Sequence, residues 1–501
     1  MSAMEVQQKI VEKPLTQQEL EGWLWKVADI LRGAVKPEKY GTFVLPLLFF
    51  KRLSDVYKIE YEKARLKYKS ANAARQKFVH KFADIPKGCM WEDLRKESKN
   101  VGGKLNKMLG KIAKANPELD GVINRTDFNR PDELPPQKLI KLIEHFSGRT
   151  LANGNIQPDM LGNVYEYLLK KFNEVAPARA GEFYTPREII KIMIEILDPD
   201  EGAEIYDPCA GSGGMLIFSH LHLLEKKRDP KNVFLYGQEF NAETCAMARM
   251  NVMLHGLEAK VSAGDTLADP KFLDGNGLKK FDIVIANPMW NQDGYKEVIE
   301  KDKFGRFTYG TPSNSSADWG WIQHMLASLK PDGRMGVVLD QGALFRGGAE
   351  GKIRGKIIEA DLVECVVSLP EKLFYNTGSP GCLIFLNKDK PRQRQGKILF
   401  VYATKDFEKL KNMNHLRDQD IDTTVQAFRN YKDMPKRVAV VPLEQVRKNK
   451  YNLSVTRYMD VFEPESIIDI EQTWREITNL NVQWKTVNEQ LQASLRELGY
   501  E

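Results

Sequence analysis

The sequence predicts an α/β fold, with an N-terminal helical domain, then a doubly wound, mainly parallel sheet, then a C-terminal helical tail. Three observations lead there. Residues before about 170 read as helical; from about Gly181 short β-rich runs alternate with helical segments; from Ile468 the helical period returns. Strands alternating with helices of about 10–15 residues imply right-handed crossovers, hence parallel strands with helices on both faces. At 501 residues the chain exceeds one ordinary domain.

The helical part opens with "LTQQELEGWLWKVADILRG". Thr16 and Glu19 form a capping box, Leu20, Trp23, Leu24, Val27 and Leu31 recur at helical spacing, and Gly33 stops the helix. "FVLPLLFF" (Phe43 to Phe50) is short and contains Pro46, so it reads as a buried helix start and not a membrane span, which needs about 20 apolar residues. The basic segment between Lys67 and Phe82 reads as a solvated helix face before it reads as a DNA contact.

Seven strands are predicted next: "AEIYDPC", "VFLYGQE", "AKVSAGD", "FDIVIANP", "RMGVVLD", "LVECVVSL" and "GCLIFLN". After about Lys390 the text turns irregular and charged, with "DKPRQRQGK" an exposed connection. The expected divisions are a helical domain to 170, a sheet domain over 171–395, an irregular extension over 396–465 and a helix from 466 to 501. In that helix Ile470, Trp474, Ile477, Asn481, Trp484, Asn488, Leu491, Leu495 and Leu498 follow the 4-3 spacing of a coiled-coil seam, suited to packing on its own domain or on a partner.

Composition excludes some classes. Hydrophobic residues at 42% and charged residues at 28% are those of a globular protein, and the N-terminus lacks a secretory signal, so a cytoplasmic location is expected. Five scattered cysteines form no CxxC pair and read as reduced core thiols. With 74 basic against 68 acidic residues, a net +6, any nucleic-acid surface must be local. His220 and His222 are two apart on a predicted helix and point to different sides, so no metal pair is expected.

Four consecutive strand ends carry polar or flexible groups. "DPCAGSGGM" (Asp207 to Met215) lets the backbone turn and approach a ligand at Gly211, Gly213 and Gly214, with a helix N-terminus behind it. Its G-x-G-G spacing is neither the dinucleotide fingerprint nor a P-loop. Glu239 suits the hydroxyls of a ribose and Asp265 an adenine amine, and the fourth strand ends in Asn287-Pro288-Met289-Trp290. A shared nucleoside-type ligand follows, beyond the carboxyl ends of the strands.

"DPCAGSGG" followed by "NPMW" resembles the first and fourth motifs of S-adenosylmethionine-dependent amino-methyltransferases acting on DNA, and "GEFYTPREI" resembles the segment that closes over their cofactor. With "LGNVYEYLL", "LFRGGAEGKIR" and "LFYNTGSPGCLIFLNK", the stretch to about residue 390 resembles the modification subunit of type I restriction-modification systems. The resemblance implies a Rossmann-like catalytic domain that methylates adenine N6. It implies cofactor contacts from Glu182, Phe183, Tyr184, Thr185, Pro186 and Arg187, and from Asp207, Ala210, Gly211, Ser212, Gly213 and Gly214, with Glu239 on the ribose and Asp265 on the adenine.

Double-stranded DNA, a specificity subunit, a second copy of this chain and a restriction subunit are the partners it implies. Amine methylation then assigns roles at the fourth strand end. Asn287 and the Pro288 carbonyl accept from the amine hydrogens, and Trp290 stacks a flipped-out base. Met289 stands where the family usually has a second proline, which predicts a corner looser by about 0.4–1 kcal/mol. Arg346, Lys352 and Arg354 read as phosphate contacts or a solvated loop. Two alternatives stay open: a stand-alone adenine or cytosine-N4 methyltransferase, and a silent DNA-binding scaffold.

Overall fold

A computed structural model of the chain describes residues 16–68, 84–152, 156, 158–175, 185–230, 232–374, 377–410, 413–461 and 470–500. Most of the basic segment after Lys67 lies outside them. Among the described residues six N-terminal helices share one core: α1 (Gln17–Leu31), α2 (Tyr40–Tyr68), α3 (Trp91–Arg95), α4 (Val101–Ala115), α5 (Pro136–Ser147) and α6 (Pro158–Val175). The capping box at Thr16 and Glu19 is present, and Leu20, Leu24, Val27 and Leu31 are buried.

Pro46 lies inside α2, not at its start. A proline there has no N–H for the carbonyl four residues back. That carbonyl, of Thr42, instead accepts from the Thr126 hydroxyl at 3.0 Å.

Helix α7 (Arg187–Leu197) leads into the sheet. Its strands are β1 (Glu204–Asp207), β2 (Phe234–Glu239), β3 (Ala259–Ala263), β4 (Phe281–Ala286), β5 (Leu329–Asp340), β6 (Val363–Ser368), β7 (Gly381–Asn387), β8 (Lys397–Tyr402) and β9 (Val438–Pro442). They run in the spatial order β9-β8-β6-β7-β5-β4-β1-β2-β3. Strands β7 and β9 are antiparallel to their neighbours and the others are parallel. The winding reverses between β1 and β4, which places a ligand crevice at their carboxyl ends.

The remaining helices of this unit are α8 (Gly214–Glu225), α9 (Ala242–Leu254), α10 (Lys296–Glu300), α11 (Asp318–Ala327), α12 (Gly348–Glu359), α13 (Asp418–Asn430) and α14 (Leu443–Lys448). α7, α8, α9 and α13 cover one face of the sheet; α11, α12 and α14 cover the other. This explains the unbroken apolar run of β4. Ile283 and Ile285 enter one core, and Val284 and Ala286 the other. Helix α9 is shared: Cys245, Ala248 and Val252 pack toward the sheet, while Met250 and Leu254 belong to the core of the N-terminal helices.

Residues 396–465 correct the expectation of an irregular extension. β8 and β9 extend the sheet there, with α13 on one face. Their apolar runs, "KILFVY" and "VAVVP", are short and separated by charged text that masks them. The "DKPRQRQGK" connection is likewise partly internal, because the buried Lys390 ammonium donates to Asp361 at 2.6 Å and to the carbonyls of Val363 and Lys397.

The chain divides into two compact units, the second beginning at Asp460. Taken by itself, that unit holds α15 (Ile470–Glu497), no side chain of which is buried. No helix among the described residues is long and apolar enough to cross a membrane.

Candidate active site

The glycine loop between β1 and α8 is held from three sides. The Ala210 N–H donates to the Gln238 carbonyl at 2.9 Å, the Gly211 N–H to Glu239 Oε2 at 2.9 Å, and Asn251 Nδ2 to the Ser212 carbonyl at 2.9 Å. Gly211 and Gly213 have φ of 52° and 82°, the left-handed region that glycine enters without strain. Gly213 caps α8 without a side-chain hydrogen bond, and Gly214 faces Ile190 so closely that a Cβ would lie 3.3 Å from it. The first turn of α8 therefore keeps backbone donors for a ligand.

Asp207 sits beneath this loop, 1% exposed, with Oδ1 accepting from the Cys209 N–H at 2.9 Å. Burial, reinforced by nearby Glu239, pushes its carboxyl up to about 8. Its carboxyl supports the turn through the bond to Cys209. A carboxyl raised above its unfolded value of about 3.9 binds a proton in the folded state that the unfolded chain releases, so stability is full below pH 4 and declines as pH rises through about 8. Asp207→Asn is expected to flatten that decline. Thermal midpoints of both proteins between pH 5 and 9 check this, and parallel curves would refute it.

Glu239 accepts from the N–H groups of Gly211 and Asn241, one on each oxygen at 2.9 and 2.8 Å. Beside it Phe240 is 71% exposed. Asp265 Oδ1 accepts from the Leu267 and Ala268 N–H groups, and Oδ2 from the Tyr295 hydroxyl at 2.8 Å. Burial, and then this carboxylate, raise the Tyr295 phenol well above its usual range, so it stays a donor. Tyr295 was not legible in the sequence, where it is one aromatic in a loop.

At the end of β4 the Asn287 amide is held at both ends. Its Nδ2 donates to Thr185 Oγ1 at 2.9 Å, and its Oδ1 accepts from Trp290 Nε1 at 3.2 Å. The Trp290 ring meets Phe374 edge-on at 4.8 Å. Gly381 leaves room for both, since a Cβ there would lie 2.7 Å from Phe374 and 3.3 Å from Trp290. Phe374 comes from far along the chain, so no local spacing marks it.

Behind the corner, Asn291 has φ of 54° and is pinned by Asp318, which accepts from its N–H at 2.9 Å, and by Arg346, which donates to its Oδ1 at 2.5 Å. Arg346 also pairs with Asp318, Asp340 and Glu350. Arg354 is buried and donates to the carbonyls of Ala343, Arg346 and Tyr451. Arg354 is an internal strut and Arg346, partly exposed, is committed to carboxylates, so these two fit neither the phosphate-contact nor the solvated-loop reading; Lys352 is exposed.

Glu182, Phe183 and Tyr184 lie outside the described residues. Thr185 reaches Asn287, and buried Pro186 caps α7. Arg187 pairs with buried Glu166 of α6 at 2.7 Å and donates to the Asn163 carbonyl. Burial raises the Glu166 carboxyl, against the pull of Arg187. Only Glu166 is fully buried and Arg187 is partly exposed, so removing Glu166 costs about 2 kcal/mol. Glu166→Ala is expected to lose that much in urea unfolding, and a loss below about 1 kcal/mol would refute the anchor.

His222, buried, pairs with Asp198 at 2.8 Å; among the described residues no metal-binding cluster occurs. All five cysteines are free, four of them buried.

A doubly wound sheet with a glycine loop after β1 and an Asn-Pro-x-aromatic corner after β4 defines an amino-methyltransferase, and residues 156–466 match the N-6 DNA methylase family model. Residues 20–146 match the HsdM N-terminal domain. The chain is 35% identical to the type I restriction enzyme MjaVIII methylase subunit of Methanocaldococcus jannaschii, over 97% of this chain and 87% of that one. It is 32% identical to the HindI methylase subunit of Haemophilus influenzae, over 78% and 91% respectively. The type I restriction-modification methyltransferase subunit from Streptococcus thermophilus has a similar structure, with a TM-score of 0.76, 26% identity, 89% of this chain and 100% of that chain covered. This protein belongs to the family of type I restriction enzyme methylase subunits and is an adenine-specific DNA methyltransferase.

Proposed function

We propose that this chain methylates the N6 amine of an adenine flipped out of double-stranded DNA, as the modification subunit of a type I restriction-modification complex. S-adenosylmethionine supplies an activated methyl group when bound. The donor set of the crevice fits it: an uncapped helix start for its carboxylate, Glu239 for its ribose, and Asp265 with Phe240 for its adenine.

The observation that carries the reading is the Asn287 amide, held between Thr185 and Trp290 at the switch point of the sheet. An exocyclic amine is a poor nucleophile because its lone pair is delocalised into the ring. Acceptance of its two hydrogens by Asn287 Oδ1 and the Pro288 carbonyl turns that lone pair outward, so positioning supplies most of the help. Trp290 offers a stacking face worth about 1–3 kcal/mol. The base must leave the duplex to reach this corner.

Selecting one adenine needs side chains in the major groove. We assign that task to a separate specificity subunit, with α15 as the element that docks on it. A second copy of this chain and a restriction subunit complete the assembly, in the cytoplasm. Methyl-sensitive sequencing of DNA from cells expressing this chain with and without its genomic neighbours tests the reading. Site-specific adenine methylation only with the specificity protein is the expected result; methylation at fixed sites by the chain alone would overturn the division of labour.

A further inference from the structure

We propose that the indole N–H of Trp290 decides which end of the Asn287 amide faces the target base, making Trp290 a specificity-determining residue as well as a stacking surface. The inference rests on the roles given above to Asn287 and Trp290. The two ends of an amide are nearly equal in size and opposite in chemistry, so a rotation that exchanges them turns an acceptor into a donor. Thr185 cannot choose between them, because its hydroxyl at 2.9 Å can accept from Nδ2 or donate to Oδ1.

The indole can only donate. At 3.2 Å from the amide, Trp290 Nε1 therefore requires Oδ1 on its own side and sends Nδ2 to Thr185. The ring is kept in place by the edge-on contact with Phe374 and by the bare backbone of Gly381. The amide oxygen keeps a second lone pair, so it can accept from an amine while Trp290 still holds it. A purine carrying a 6-oxo group presents an acceptor to this acceptor and is refused.

The test uses the complete complex and two duplexes, with adenine or hypoxanthine at the target position. Binding of each is measured for wild type, Trp290→Phe and Thr185→Val. The ratio of the two affinities, compared between proteins, cancels the different ease of flipping the two bases. Phenylalanine keeps a stacking face but has no donor, so the preference for adenine is expected to fall by at least about fivefold, within the tenfold that 1.4 kcal/mol represents. Thr185→Val removes the partner that does not discriminate, and its preference should stay within about twofold of wild type. Unchanged preference in Trp290→Phe, or its collapse in Thr185→Val, would overturn the proposal. Full methyl transfer by Asn287→Ala would instead overturn the reading of the site itself.

Discussion

Asn287→Ala is expected to lower the rate of methyl transfer by about 10²–10³-fold, the cost typical of deleting one positioned hydrogen-bonding group from a transition state. The side chain supplies one of two acceptors for the amine, and the Pro288 carbonyl remains. Asn287 lies past the end of β4, whose buried residues set the strand independently of it. The variant should therefore fold and bind cofactor within a few-fold of wild type. Labelled-methyl transfer at saturating cofactor checks this, and a rate within about tenfold of wild type would remove Asn287 from the reaction.

Met289 does not offer a way around that result. It is 36% exposed and so lies on the outer side of the corner. The backbone freedom it restores is limited one residue past Trp290, where Asp318 and Arg346 hold Asn291. The looseness expected of a missing proline is thus countered by a clamp the sequence did not advertise.

Deleting residues 466–501 is expected to abolish co-purification with the specificity subunit and, with it, site-specific methylation by the complex. Along α15 and just past its end, Ile470, Ile477, Trp484, Leu491 and Leu498 recur every seventh residue. Leu480 and Val487 widen the stripe on one side and Trp474 on the other, all of them at least 45% exposed. Burying each such side chain contributes about 1.5–3 kcal/mol. The stripe is broader than the narrow a/d seam of a two-stranded coil and suits a helix packed against two neighbours. Size-exclusion chromatography of the truncated chain mixed with the specificity protein tests this. A complex that still elutes intact would place the docking surface elsewhere.

Much of the site was legible because it depends on local spacing. All seven predicted strands are present, and the glycine loop and the Asn-Pro-x-aromatic corner stand at the ends of the first and fourth. Elements recorded only in tertiary partners escaped. The pairings of Arg187 with Glu166 and of Arg346 with Asp318 join residues far apart in the chain that no local spacing connects. Phe374 and Tyr295 reach the site from loops whose paths no periodicity encodes. β8 and β9 were hidden because strand signals of five or six residues are outweighed by charged surroundings.

The double allegiance of α9 bears on how the protein can change over time. Met250 and Leu254 complete the core of the N-terminal helices, while the opposite side of the same helix backs the sheet, and Asn251 between them holds the glycine loop. The N-terminal helices therefore cannot be exchanged among relatives as a detachable module. A chimera joined near residue 156 would need α9 from the same parent as the helices and the sheet from the same parent as α9.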